Sequence, residues 1–230
     1  MQIPPYLVNE HYDDRYFDVV NAIEEAKYIY FQGSGITDVL AGQGRKEFRI
    51  GETGFGAGRV VIALMDFLGN SGITGINITY NSVELHPVTF ARMDSILAGF
   101  RPEAGPLIDL LVRTYRSVEI TRSGWHRMQL TRPFGVVTLN LWIGEALEMV
   151  HALTMPCDAW FLDGHGPKKN PAIWRDELLL AIGEKTVSGG TCATYTVAGA
   201  VRRGLIAAGF SLEQRPGFGG KKSVLKGVKL

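Results

Sequence analysis

The chain has 230 residues, 46% of them hydrophobic and 20% charged, with a formal net charge of +1. Those values fit one large globular domain and exclude a disordered or collagen-like chain, and no apolar run approaches the roughly 18 residues of a membrane span. Its two cysteines, Cys157 and Cys192, lie far apart in apparent strands, which argues for buried thiols in a reducing compartment and against a disulfide framework or structural zinc.

Charge is unevenly spread. Residues 1–30 hold six acids against Arg15 and Lys27, whereas residues 199–230 hold seven bases against Glu213. Such a basic end suits a docked polyanion as well as it suits a solubilising surface. No basic segment leads into an apolar one at the start, so no signal peptide is expected and a cytoplasmic location is.

Residues 1–45 do not read as the start of a central sheet; they are expected to form an extension covering an edge or mouth of the core. Tyr28 to Phe31 reads as a short strand, and Ile36 to Leu40 as a short helix or strand between glycine turns. Residues 46–230 then read as an α/β domain. Its first strand, Phe48 to Gly51, leads into Glu52-Thr53-Gly54-Phe55-Gly56-Ala57-Gly58 and a helix from Arg59 to Leu68. Close-packed glycines between strand and helix let the backbone approach a nucleotide-like cofactor, although the same spacing fits a bare tight turn. Glu52 would repel a pyrophosphate and can pair with the cationic amino-acid end of S-adenosylmethionine.

A second strand, Ile73 to Tyr80, is followed by Glu84, which is placed to hold a ribose hydroxyl pair or to start a helix. The helix expected at Val88 to Ala98 puts Phe90, Met93, Ile96 and Leu97 on its core face. Residues 87–125 read as a helical insertion broken at Gly105-Pro106. Strands follow at Trp125–Leu130 and Gly135–Trp142, with Glu145 at the end of the second, within reach of an adenine amino group. Ala159 to Leu162 is an apolar strand ending in Asp163-Gly164, where an acid can face a pocket or simply cap a turn. Helices at Trp174–Val187 and Ala200–Ala208 and strands at Thr191–Thr196, Leu212–Arg215 and Ser223–Val228 complete an expected seven-stranded mixed sheet. The loop Pro216 to Lys222 is basic with one aromatic, fitting phosphate contacts and a stacked base or a plain hairpin loop.

Several separated segments, in order, resemble the MnmC-type methyltransferase domain. They are Asp13-Asp14 with Tyr16-Phe17, Glu24-Glu25, Gly54 to Gly58, Asp158 to Gly164 with Pro167, Lys169-Asn170-Pro171 and Trp174, Ala200 to Leu205 with Ala208-Gly209-Phe210, and Gly217-Phe218-Gly219 with Lys221. The resemblance covers nearly the whole chain. It implies a Rossmann-like class I S-adenosylmethionine-dependent methyltransferase fold. The implied reaction converts 5-aminomethyl-(2-thio)uridine at tRNA position 34 into its 5-methylaminomethyl form. Some members carry a second, FAD-dependent oxidase domain; this chain resembles the stand-alone type, whose aminomethyl group a separate enzyme must supply. The chain departs from the usual pattern where His165-Gly166 replace Phe-Ala, where Arg59-Val60 replace Leu-Asn after the glycines, and where Glu145 replaces Asp.

On this reading Asp163 accepts a hydrogen bond from the substrate amine, orients it and helps remove its proton. Glu52 would face the methionine amino group, Glu84 the ribose and Glu145 the adenine, beside Gly54, Gly56 and Gly58. Tyr30 is open between a cofactor or lid contact and surface. His165 and Asn170 belong to the base pocket, with Tyr195 as a wall. Lys168, Lys169, Arg202, Arg203, Lys221 and Lys222 are candidates for RNA backbone contacts, with Phe218 for stacking. Rival readings are an NAD-dependent oxidoreductase, a non-catalytic tRNA-binding module, and methylation of another RNA nucleoside or a small-molecule amine. A monomer is the default expectation, with no membrane partner.

Overall fold

The computed structural model describes residues 8–16, 21–32, 34–36, 46–220 and 223–230. The chain enters as a two-stranded antiparallel ribbon, β1 (Val8–Asn9) and β2 (Asp14–Arg15). A short helix, α1 (Ala22–Ala26), runs straight into a π-helical turn over Lys27–Gln32. That turn stands where the sequence suggested a strand. A short buried apolar run has no period that separates strand from helix, and here Ile29, Tyr30 and Phe31 all face the core. The element expected at Ile36 to Leu40 lies, beyond Ile36, outside the described residues.

The main sheet begins with β3 (Glu47–Glu52), followed by α2 (Arg59–Asn70) and β4 (Ile76–Glu84). Next come α3 (Phe90–Leu97) and α4 (Arg101–Tyr115). Thr89 caps α3, its hydroxyl accepting from Arg92 N–H at 3.2 Å. Met93, Ile96 and Leu97 are buried as their spacing predicts, but Phe90 is exposed and lies under the Arg116 guanidinium. Gly105-Pro106 does not break the chain. The kink falls at Ala104, φ −136°, and Pro106 sits in the first turn after it, where a missing N–H costs least.

The hairpin β5 (Gly124–Arg132) and β6 (Gly135–Ile143) leads to α5 (Ala146–Ala152) and β7 (Cys157–Leu162). The chain ends with α6 (Asp176–Glu184), β8 (Thr186–Thr194), α7 (Gly199–Ala207), β9 (Phe210–Pro216) and β10 (Ser223–Lys229). The sheet has eight strands in the order β5-β6-β4-β3-β7-β8-β10-β9, one more than the seven expected, because both strands of the β5–β6 hairpin join it. β6, β4, β3, β7 and β8 are parallel; β5, β10 and β9 run antiparallel to their neighbours.

Helices cover both faces. Ala159 and Phe161 enter a core shared with residues 22–31, α2, α3 and α4, while Trp160 and Leu162 enter a second core shared with α5, α6 and α7. That double burial explains why β7 reads as an unbroken apolar run rather than an alternating one. Gly51 lies opposite Trp160, and a Cβ at Gly51 would come within 2.4 Å of the indole ring, so the small residue on one strand makes room for the large one on the next. Among the described residues no helix is long and apolar enough to cross a membrane.

Candidate active site

Because β3, β4, β6 and β7 are parallel, their carboxyl ends open on the same edge of the sheet, where ligands of open α/β sheets sit. A cavity lies there, lined by the turn after β3, Glu84 from β4, Glu145 after β6 and Asp163 to His165 after β7. The turns are joined mainly through their backbones. Thr53 Oγ1 donates to the Asp163 carbonyl at 2.7 Å, Phe55 N–H to the Val83 carbonyl at 2.9 Å, and Gly56 N–H to Glu84 Oε2 at 2.8 Å. His86 N–H donates to the other Glu84 oxygen at 2.9 Å. Burial raises the Glu84 carboxyl above its ordinary range, and these two N–H groups oppose that rise.

The glycines are required by contact and by conformation. A Cβ at Gly54 would lie 3.1 Å from the Asp163 carbonyl oxygen and Gly164 Cα, both main-chain atoms. Gly58 opens α2 with φ +79°, a conformation that L side chains rarely adopt, and a Cβ there would meet Leu111 at 2.6 Å.

Arg59, the first residue of α2, is buried. Its guanidinium donates to Asp163 Oδ2 at 2.9 Å and to the Ala22 carbonyl at 3.1 Å, with Glu25 at 3.7 Å. Asp163 Oδ1 accepts from Gly164 N–H at 2.8 Å. The acid at the end of β7 is therefore a fixed carboxylate at the cavity wall, its side chain 17% exposed.

The N-terminal ribbon closes over the opening. Asn9, Tyr12 and Tyr16 line the cavity, and the Tyr16 ring stands 3.4 Å from where a Gly56 Cβ would be. His165 Nδ1 lies 3.2 Å from Asp14 Oδ2, and Lys169 Nζ donates to Asp13 at 3.1 Å. His11 stacks on His86 at 3.9 Å, and Arg92 of α3 donates to the Val8 carbonyl at 3.3 Å. Burial, reinforced by the Glu84 charge, pushes the Tyr16 hydroxyl up to about 12, so it stays protonated and able to donate.

The structure thus brings Gly54, Gly56, Glu84, Glu145, Asp163, His165 and Asn170 together around one cavity, with Gly58 at the helix start just beneath. It moves two expected cofactor residues away. Glu52 is 1% exposed and points into the core, where Ser82 Oγ donates to it at 2.5 Å and its other oxygen has no hydrogen bond among the described residues. Burial pushes its carboxyl up to about 8, and its side chain is not part of the cavity lining. Tyr30 is also fully buried and packs on Phe161. Both changes have one cause: the segment 22–31 packs into the core under the cavity, and alternation along β3 leaves Thr53, not Glu52, at the opening.

Among the expected substrate residues, Tyr195 is outside the cavity and braces its wall from behind, donating to the Gly164 carbonyl at 2.7 Å. Lys168 is exposed, Arg202 and Arg203 lie on the exposed side of α7, and the Phe218 ring packs against Tyr28 at 5.7 Å. Lys221 and Lys222 lie outside the described residues. Sequence reading missed Asn9, Tyr12, Tyr16 and Arg59 as cavity residues. The mix of aromatic and acidic residues at 12–16 was the available signal for the ribbon. For Arg59 the signal was a cation where the resembled pattern has Leu.

The lining tests what the site can hold. Three carboxylates, Glu84, Glu145 and Asp163, stand against one guanidinium, and Gly54 and Gly56 offer side-chain-free backbone. That set repels a pyrophosphate and suits a cation with ribose hydroxyls, as in S-adenosylmethionine. Glu84 would hold the ribose and Glu145, paired with Arg175 at 3.5 Å, the adenine side.

Comparison with known proteins agrees. Residues 106–230, more than half of the chain, match the model of a family described as S-adenosyl-L-methionine-dependent methyltransferase. The chain is 39% identical over 215 residues to the tRNA 5-methylaminomethyl-2-thiouridine biosynthesis bifunctional protein MnmC of Caulobacter vibrioides, covering 94% of this chain and 35% of that one. The protein of the same name from Ectopseudomonas mendocina is 36% identical, with 96% of this chain and 33% of that one covered. The chain therefore spans about a third of the length of these relatives. A solved structure of MNMC2 from Aquifex aeolicus superposes with a TM-score of 0.75 at 20% identity, over 96% of this chain and 65% of that one, and shares the fold. With its strand order, glycine turn and carboxylate-lined cavity, the chain belongs to this family of S-adenosyl-L-methionine-dependent methyltransferases.

Proposed function

We propose that the chain methylates the primary amine of 5-aminomethyl-(2-thio)uridine at the wobble position, 34, of tRNA. The observation that carries this reading is Asp163, a fixed carboxylate on the wall of the cavity at the strand ends, beside the rings of Tyr12 and Tyr16. The names of the relatives, which concern tRNA 5-methylaminomethyl-2-thiouridine biosynthesis, support it. S-adenosylmethionine supplies a methyl group on a sulfonium when bound. Asp163 accepts a hydrogen bond from the amine and holds its nitrogen in line with that methyl group. Asn170 and His165 border the base, and Tyr12 and Tyr16 exclude water and offer ring faces to it. A wobble nucleotide already sits in a single-stranded loop, so it can turn into the cavity without breaking a duplex.

Lys168, Lys169, Arg202 and Arg203, with Lys221 and Lys222, are the cations assigned to RNA phosphates, and Phe218 is the aromatic assigned to base stacking. Within the extension that precedes the methyltransferase domain at 46–230, residues 8–16 act as a cover over the cavity and residues 22–31 complete the core, and residues 87–125 act as a helical insertion on that domain. The reading places the chain in the cytoplasm with tRNA, as a monomer, downstream of an enzyme that makes the aminomethyl group. The test is incubation with labelled S-adenosylmethionine and tRNA from cells that cannot add this methyl, followed by nucleoside analysis. Label in 5-methylaminomethyl-uridine at position 34 is the expected result. Label in another nucleoside, or transfer to a free amine without RNA, would replace this reading.

A further inference from the structure

Asp163 is poorly placed to take a proton. Arg59 occupies one of its oxygens at 2.9 Å and Gly164 N–H the other at 2.8 Å. A proton on that carboxyl would disrupt an ion pair whose guanidinium is buried, and such a broken pair is costly. An alkylammonium entering the site needs another acceptor before its nitrogen can attack.

His165 offers one. Its side chain is 11% exposed and lines the cavity, its carbonyl is held by Trp174 Nε1 at 2.8 Å, and the Tyr12 ring stands 4.6 Å away. Nδ1 lies 3.2 Å from Asp14 Oδ2, a contact in which Nδ1 donates, so that in the neutral ring the lone pair is on Nε2. Nε2 makes no hydrogen bond among the described residues. The charged and titratable groups around the ring are Asp14, Tyr12 and Tyr16 from the N-terminal segment, Glu84 from β4, and Asp163.

We propose that His165, oriented by Asp14, is the proton acceptor for the substrate amine, while Asp163 only orients that amine. The inference rests on the amine-methylation reading above. The ammonium gives one proton to Nε2, and the N–H bonding pair becomes the nitrogen lone pair. That pair forms the new N–C bond as the C–S bond of the sulfonium breaks, its electrons passing to sulfur. The products are a protonated secondary amine, a neutral thioether and an imidazolium. His165 is thus a catalytic residue, and Asp14 a positioning residue.

The test compares wild type, His165→Phe and His165→Gln in single-turnover methylation of an anticodon-loop oligonucleotide carrying 5-aminomethyluridine, from pH 6.5 to 9.5. Binding of S-adenosylhomocysteine controls for folding. Both variants should be about 100-fold slower near pH 7 and regain most of that loss at high pH, where the amine is neutral without help. Asp14→Asn should show the same pH shape with a smaller loss. In the cofactor-free protein, His165→Phe should also reduce the preference for the aminomethyl over the unmodified oligonucleotide, by about fivefold for one lost hydrogen bond. A loss equal at every pH, or none in either variant, overturns the inference alone. Absence of transfer by wild type at every pH, with cofactor analogue bound, overturns the functional reading and this inference with it.

Discussion

On one side of the cavity the turn Thr53 to Gly58 is held by main-chain groups: Phe55 N–H on the Val83 carbonyl, Gly56 N–H on Glu84, and a helix start at Gly58. On the other side, His165 is held by Asp14, 151 residues away in sequence, and Asp163 by Arg59, 104 residues away. The first wall is a backbone cradle whose chemistry depends on the absence of side chains. The second is a set of side chains that only the folded chain brings into contact. A substitution should therefore break the first wall by adding atoms and the second by removing them.

The largest effect is expected at the cradle. Gly54→Val sets carbon against main-chain atoms of the β7 turn, which cannot swing away, so S-adenosylmethionine binding should be undetectable by calorimetry at concentrations that saturate wild type. Near-normal affinity would show that the two turns separate easily and that the contrast is misplaced.

Asp163→Ala should lower turnover by about 10³-fold while changing cofactor affinity less than about tenfold, as expected for a group that aligns the substrate. A similar loss in both would make Asp163 part of the cofactor cradle instead.

Beneath the cradle, Glu52 carries a cost that depends on pH. Its carboxyl titrates at about 8 in the folded chain and near 4.5 when unfolded. Between those values the folded chain keeps a proton that the unfolded chain has released. Its contribution to stability is full below the lower value and is lost as pH rises toward 8. Relative to Glu52→Gln, wild type should lose roughly 3 kcal/mol between pH 5 and pH 7 in denaturant unfolding. Parallel curves for the two proteins would mean that Glu52 is solvated or ionised in the fold.

The smallest effect is expected at Lys169, whose pair with Asp13 is exposed on both sides. Lys169→Ala should change stability by less than about 0.5 kcal/mol. If Lys169 serves RNA phosphates, the same variant should flatten the salt dependence of tRNA binding.

The sequence was most legible where local chemistry decides. The glycine turn between a strand and a helix, the apolar strand ending in Asp163, and Glu84 and Glu145 at later strand ends could all be placed without coordinates, because strand-end position and burial on both faces leave marks in composition. Glu52 was misplaced, since the side of a strand end that faces solvent depends on what packs against it, and residues 22–31 fill that space; Tyr30 was misplaced because it belongs to the segment that fills it. The ribbon at residues 8–15 shows an acidic, aromatic composition but no target; only folding sets Asp14 against His165 and Tyr16 over Gly56. The sequence by itself determined the fold class, the cofactor turn and the strand-end acids, because these follow from short-range backbone and periodicity rules. Tertiary structure alone decided that Arg59 holds Asp163 and that Asp14 orients His165, because contacts between distant side chains depend on the packing of the whole chain.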